Sequence, residues 1–274
     1  MQRSYVLALG AIFLWSSLAF LGQKVSAIPA FLLVGITLFL GGLCSLPWWR
    51  QWRVSKKTLA IGIYGLFGYH FCLFMAFRLA PAVEVNLINY LWPLLIVLLS
   101  PMFFSHVALT KKHIIGSVLG FAGALLIASK GSVVVTQDNI FGYCLAAAAA
   151  FIWASYSLLS KKVSDITTPT IGLFCLLSGV LSLACHFIFE PSYPLQLSEV
   201  PTLILLGVGP MGAAFFLWDK SLKQGDPRII GSLSYLTPLL STLLLVVFAG
   251  GAFTAMTLMA MVLIISGAVI GSIS

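Results

Sequence analysis

Apolar residues run along nearly the whole chain in blocks about twenty residues long, separated by short polar, basic or proline-bearing stretches. The blocks fall at about 4–23, 29–49, 57–78, 82–104, 113–130, 140–160, 168–189, 200–219, 228–249 and 253–273. Each has the length, roughly 20 residues, that a helix needs to cross a bilayer. The pattern therefore predicts ten transmembrane helices. Pro29, Pro81, Pro169, Pro201 and Pro227 stand at or just before helix starts, where proline is tolerated.

One block is interrupted from within. Glu84 to Leu95, EVNLINYLWPLL, places two Asn, a Tyr, a Trp and a Pro inside an apolar run. On a helix, Asn86, Asn89, Tyr90 and Pro93 share one stripe, with Trp92 at its border. Polar groups facing hydrocarbon are costly unless satisfied, so this stripe faces protein or a water-filled cavity. Pro93 also removes a helix hydrogen bond and frees the carbonyl of Asn89. Ser232 to Leu240, SLSYLTPLL, echoes this stretch. Laying Pro93 on Pro238, an offset of 145 residues, puts Tyr235 on Tyr90, Ser234 on Asn89 and Gly231 on Asn86. Two kinked, polar-striped helices in matching places point to a transport site, with Pro93 and Pro238 as hinges.

A second echo lies near the start of each half. Ala11 to Ser26 reads AIFLWSSLAFLGQKVS, and Ala149 to Ser164 reads AAFIWASYSLLSKKVS, an offset of 138 residues. Eight of the sixteen aligned positions are identical, among them Trp15 with Trp153 and Lys24-Val25-Ser26 with its counterpart. The recurrence argues against reading the first segment, Arg3 followed by an apolar run, as a signal peptide. The expected organisation is all-α and polytopic, with five helices in residues 1–137 and five in 138–274. Five is odd, so the two units would be inverted relative to each other in the membrane.

Composition and charge agree with this. The 274 residues are 60% hydrophobic and 8% charged, and ten spans with short loops leave no room for a soluble domain. A net charge of +8 would suit nucleic acid, but the basic residues sit in short loops between spans, so no nucleic-acid partner is expected. With the N-terminus in the cytoplasm, twelve of the fifteen Lys and Arg fall inside, and only Lys24, Arg78 and Lys130 outside. Both termini are then cytoplasmic.

The five cysteines lie within apolar runs without a CxxC pair, and neither a metal site nor a cofactor is expected. No Walker loop, HExxH or Ser-His-Asp spacing appears, so enzymatic chemistry has no foothold. Trp153, Tyr156, Ser157 and Ser160 share a helix face, matched in the first unit by Trp15, Leu18, Ala19 and Gly22. With Tyr69, His70, Phe74, Tyr90, Trp92, Phe215, Trp218 and Tyr235 they can line an aromatic cavity. The competing reading, an interfacial aromatic belt, fits Trp48, Trp49 and Trp52 better than Trp92 and Trp153, which lie deep in their spans. His70 is either a neutral core histidine with one hydrogen bond or a substrate or proton contact. Glu84, in a first turn, is a dipole partner or a coupling group. Asp219 is expected to pair with Lys220 at the interface. Gly116, Gly120 and Gly123, and Gly267 and Gly271, form GxxxG patterns for close packing within the chain or between protomers.

The stretches Glu84–Pro93, Phe151–Tyr156 and Ser234–Pro238 resemble the drug/metabolite transporter superfamily, EamA-type, and within it the YddG-type aromatic amino-acid exporters. By layout the resemblance covers nearly the whole chain. It implies ten helices in two inverted halves around a central cavity. It also implies outward movement of aromatic and other neutral amino acids across a bacterial inner membrane. The expected substrate-binding set is Trp15, Tyr69, His70, Phe74, Asn86, Asn89, Tyr90, Trp92, Trp153, Tyr156, Ser157, Trp218, Ser234 and Tyr235. The protein would work by alternating access, as a monomer or homodimer. Facilitated diffusion or weak proton coupling is expected, since no Asp or Glu is placed deep in a span. Three alternatives stand beside this: export of another small metabolite or drug, a phosphate-ester exchanger needing Arg or Lys in its cavity, and a membrane sensor or subunit that transports nothing.

Overall fold

The computed structural model describes residues 2–129, 137–163, 166–249 and 254–272. Lys130, Ser164 and the outermost residues of the last expected span, 253 and 273, lie outside these. Among the described residues the regular structure is helical throughout. The transmembrane helices are α1 (Gln2–Gln23), α2 (Ala30–Leu43), α3 (Lys56–Leu79), α4 (Ala82–Phe103), α5 (Lys111–Ser129), α6 (Gln137–Lys162), α7 (Thr170–Phe189), α8 (Leu197–Gln224), α9 (Pro227–Phe248) and α10 (Ala255–Ser272). Among the described residues nine of these are long and apolar enough to cross a membrane, and α2 makes the tenth expected span only together with the bent segment that follows it. The chain is a multi-pass membrane protein.

The second span differs from its expected extent. The α2 helix ends at Leu43, and the chain turns by 86° into a short 3-10 segment, Leu46–Trp52. Pro47 cannot donate a backbone bond that would continue α2, and half-exposed Trp48 and Trp49 beside Arg50 suit an interface better than a bilayer core. Trp52 ties this elbow to α7 by donating its indole N–H to the carbonyl of Pro169 at 3.0 Å.

Small residues decide how the helices meet. A Cβ at Gly116 of α5 would sit 2.5 Å from the backbone nitrogen of Gly271 in α10. A Cβ at Gly267 would sit 2.5 Å from the carbonyl of Gly116. The GxxxG patterns thus serve packing within the chain. The α2 and α7 helices approach in the same manner through Gly35, Gly42, Gly172 and Gly179. Around these contacts α3 packs on α6, α1 on α8, and α4 on α6 and α9.

Four of the helices carry irregularities that come in pairs, while α1 has a break of its own at Ser17. The α4 helix is interrupted at Tyr90, and α9 at Ser234 and Tyr235. The α3 helix contains a π segment at Tyr64–Gly68, and α8 one at Gly209–Ala213. The two π segments stand 145 residues apart, the offset that separates Pro93 from Pro238. Such bulges recur at functional sites because they re-aim side chains and loosen the backbone ladder. Ahead of α9, Asp226 caps the helix by accepting the Arg228 N–H at 2.8 Å. Burial raises its carboxyl pKa, but the bonds from Arg228 outweigh this and hold it below the usual carboxylate range.

Candidate functional site

Seven helices enclose a cavity of about 480 Å³. On α1 its wall runs from Trp15 to Gly22, and on α3 from Tyr69 to Phe77, so it occupies the half of the bundle distal to the N-terminus. Nine of the expected binding residues share this wall: Trp15, Tyr69, His70, Phe74, Asn86, Asn89, Tyr90, Trp92 and Trp153. Their helices bring them together because each sits beside a break or a π segment on α3 or α4, or on the facing stripes of α1 and α6.

Five expected residues stand elsewhere. Tyr156, Ser157 and Trp218 line a separate space of about 10 Å³, room for about one water molecule, on the N-terminal side of the cavity. Ser234 uses its hydroxyl on the carbonyl of Ile230 at 2.8 Å. Tyr235 is fully buried, its ring laid over Gly120 of α5. The Tyr235 hydroxyl reaches the α4 break, accepting the Leu94 N–H at 3.1 Å and donating to the Tyr90 carbonyl at 3.3 Å. The expected free carbonyl was that of Asn89; the bond displayed at the break goes to its neighbour Tyr90. In α9 the carbonyl released by Pro238, that of Ser234, is taken by the Thr237 N–H at 3.0 Å.

The cavity also holds residues that the sequence reading passed over. Leu33, Val34 and Thr37 bring in α2, and Met211, Thr237 and Ser241 join from α8 and α9. Thr237 and Ser241 sit at i and i+4, a polar stripe legible in the sequence. The α2 contribution left no comparable signal, because only Thr37 is polar in that stretch.

Four indoles form the floor. Trp15 lies 5.8 Å from Trp153 and 5.2 Å from Trp218 between ring centroids, and Trp92 lies 5.6 Å from Trp218. The Trp15–Trp153 and Trp92–Trp218 pairs are edge-to-face, and such pairs contribute about 0.5–1.5 kcal/mol each beyond their burial. Trp15 is further held by its indole N–H, donated to the carbonyl of Pro210 in the α8 π segment at 3.2 Å.

Among the described residues, no Asp, Glu, Lys or Arg lines the cavity. Its polar groups are neutral, and several are unused. Asn89 donates its amide N–H to the Tyr69 hydroxyl at 3.3 Å, which turns Oδ1 away. That Oδ1 is buried and has no hydrogen-bond partner, and neither does Thr237 Oγ1. His70 Nδ1 lies 2.6 Å from the carbonyl of Leu66 in the α3 π segment. A carbonyl only accepts, so Nδ1 carries the proton and Nε2 is left over.

Asp219 does not pair with Lys220. Its carboxylate takes Lys223 Nζ at 2.6 Å, the Ser160 hydroxyl at 2.5 Å and the Thr168 hydroxyl at 2.7 Å. Lys223 is the i+4 neighbour on the same helix face, whereas Lys220 points about 100° away.

The chain matches the family model described as "EamA-like transporter family" over residues 2–129 and 140–273. It is 40% identical, over all of its own length and 99% of the relative's, to the aromatic amino acid exporter YddG of Ancylobacter novellus. It is 29% identical, over 89% of this chain and 87% of the relative, to the protein of the same name from Escherichia coli K12. A solved crystal structure, 38% identical, superposes with a TM-score of 0.95 over 99% of this chain and 97% of its own.

Proposed function

The chain belongs to the EamA-like transporter family, and on that premise we propose that it exports amino acids, aromatic and other neutral ones, from the bacterial cytoplasm by alternating access. The observation that carries this is a charge-free aromatic cavity in which the buried Asn89 Oδ1 and Thr237 Oγ1 have no partner within the protein. Buried polar atoms of this kind are costly unless a ligand or water satisfies them. A zwitterion fits: its ammonium donates to Asn89 Oδ1 and the Thr237 hydroxyl, while Asn86 and the Tyr90 hydroxyl receive the carboxylate. The indole floor, Tyr69 and Phe74 take an aromatic side chain by stacking and edge contacts. Phosphate esters are disfavoured, since no Arg or Lys lines the wall.

Alternating access draws support from the paired irregularities. Breaks in α4 and α9, and π segments in α3 and α8, share one offset of 145 residues, and the family match falls in two stretches. Two inverted units meeting at mid-membrane would rock about these weak points. The positive-inside distribution supports taking the cavity half of the bundle as the exterior half.

Proteoliposomes test this directly. Purified protein in liposomes loaded with radiolabelled phenylalanine, tryptophan and threonine should release them faster than protein-free liposomes. Release no faster than the control would overturn the proposal in favour of a membrane sensor or subunit.

A further inference from the structure

The small space beneath the indole floor repeats the cavity residue for residue. The 138-residue offset carries Trp15, Leu18, Ala19 and Gly22 of the cavity wall onto Trp153, Tyr156, Ser157 and Ser160. All four line the small space. The same offset carries Leu33 of α2 onto Ile171 of α7, again from one lining to the other. The 145-residue offset carries His70, Leu73, Phe74 and Phe77 onto Phe215, Trp218, Asp219 and Leu222. It also relates Leu66 of the small space to Met211 of the cavity. Every one of the ten residues lining the small space is thereby the counterpart of a cavity residue.

We propose that the small space is the closed form of a vestibule on the N-terminal side, equivalent by internal symmetry to the cavity, and that Asp219 is its binding group for the α-ammonium of an arriving amino acid. This rests on the transport reading above. Under that reading the N-terminal side is the cytoplasm. When the halves rock, the residues now packed beneath the floor open as Trp15, Ala19 and Phe74 are open on the other side.

The two linings differ in chemistry where they correspond in position. Asp219 stands where the cavity has Phe74, Tyr156 where it has Leu18, and Ser157 and Ser160 where it has Ala19 and Gly22. At these four positions the inner lining is polar and carries a carboxylate, while the outer one is apolar. A carboxylate captures an ammonium from the cytoplasm, and a charge-free cavity holds it less tightly on the way out.

Two of the three present partners of Asp219, Ser160 and Lys223, are suited to exchange, while Thr168 keeps its bond to Oδ2. Ser160 lies on α6, so its hydroxyl moves off when α6 and α8 part. Lys223 is partly exposed, on a flexible stem at the end of α8, and can turn to water. The carboxylate, only 3% exposed as a residue, then needs a new donor, and a substrate ammonium supplies it.

The test compares tryptophan with indole-3-propionate, which keeps the indole and carboxylate but lacks the ammonium. Inside-out vesicles present the cytoplasmic face. There, Asp219→Asn should raise the half-saturating tryptophan concentration about tenfold or more. Inhibition by indole-3-propionate should stay within about twofold of wild type, as should tryptophan binding at the exterior face. Asp219→Glu should restore most of the loss. Equal weakening of both compounds, equal weakening at both faces, or no change would overturn the assignment, leaving Asp219 a structural clamp. A wild-type protein that moves no tryptophan would instead defeat the transport reading itself. A substrate-independent measurement stands beside these. In a cysteine-free background, Ser160→Cys should react with a membrane-impermeant maleimide from the cytoplasmic face, and Ala19→Cys only from the opposite face. A Ser160→Cys protein unreactive from the cytoplasmic face would refute the vestibule.

Discussion

Two helix pairs run through the molecule on opposite principles. The α5 and α10 helices are unbroken, and glycine brings their backbones so close that a Cβ at Gly116 would meet the main chain of Gly271 at 2.5 Å. The α4 and α9 helices are both interrupted three residues before a proline, and both carry a tyrosine at the interruption. In the first pair, backbone packs on backbone. In the second, the α4 break takes its partner from another helix, while the carbonyl released in α9 is taken by Thr237 of the same helix. Within this second pair the repeat is unequal. Tyr90 stands on the cavity wall, while Tyr235 is buried and its hydroxyl serves the α4 break. A bilayer makes this division intelligible. Lipid supplies no hydrogen-bond partner, so irregular backbone survives only where another protein group reaches it.

The contrast is most severely tested at the glycines. Gly116→Leu should abolish the folded protein or lower its stability by at least about 3 kcal/mol, because the obstructing atoms are backbone and cannot turn aside. Gly22→Ala, where a Cβ meets nothing within 4 Å, should leave thermal stability in detergent unchanged. If Gly116→Leu melts like wild type, the rigid-pair description is wrong.

Asn89 and its counterpart Ser234 come next. Asn89→Ala should weaken binding of an aromatic amino acid about tenfold, the loss of one buried hydrogen bond to a charged group. Ser234→Ala should leave it within about twofold, since its hydroxyl is used on its own helix. Binding isotherms that show equal effects would restore the symmetry the structure denies.

Pro93→Ala sharpens the distinction between pocket and hinge. Alanine suits a helix interior better than proline by up to about 3 kcal/mol, so insertion and folding should survive. Initial efflux should fall several-fold while affinity changes little. Wild-type efflux from a well-folded Pro93→Ala protein would remove the hinge.

The smallest expected effect separates the two tyrosines. Tyr235→Phe removes the hydroxyl that bridges Leu94 and Tyr90, and should cost about 1 kcal/mol in stability. Tyr90→Phe should cost less, and should show instead as weaker binding. Melting curves for the two variants that coincide would erase the distinction.

Much of this was legible in the chain before folding. Ten spans follow from the length of the apolar blocks, because hydrocarbon tolerates only a backbone that bonds to itself. The breaks in α4 and α9 follow from Pro93 and Pro238, which withhold an N–H wherever the helix packs. The polar stripe of Asn86, Asn89 and Tyr90 follows from helical periodicity, which says that a face avoids lipid. Periodicity does not say which neighbour that face meets. Only the tertiary structure decided that Tyr90 reaches the cavity while Tyr235 fills the space over Gly120. It also decided that α2 joins the wall with little polar signal, that the glycine patterns pair within one chain, and that Asp219 binds Lys223 with hydroxyls from α6 and the turn before α7. Each of these depends on contacts between residues distant in sequence. Two segments as alike as the α4 and α9 motifs can be told apart only by what surrounds them.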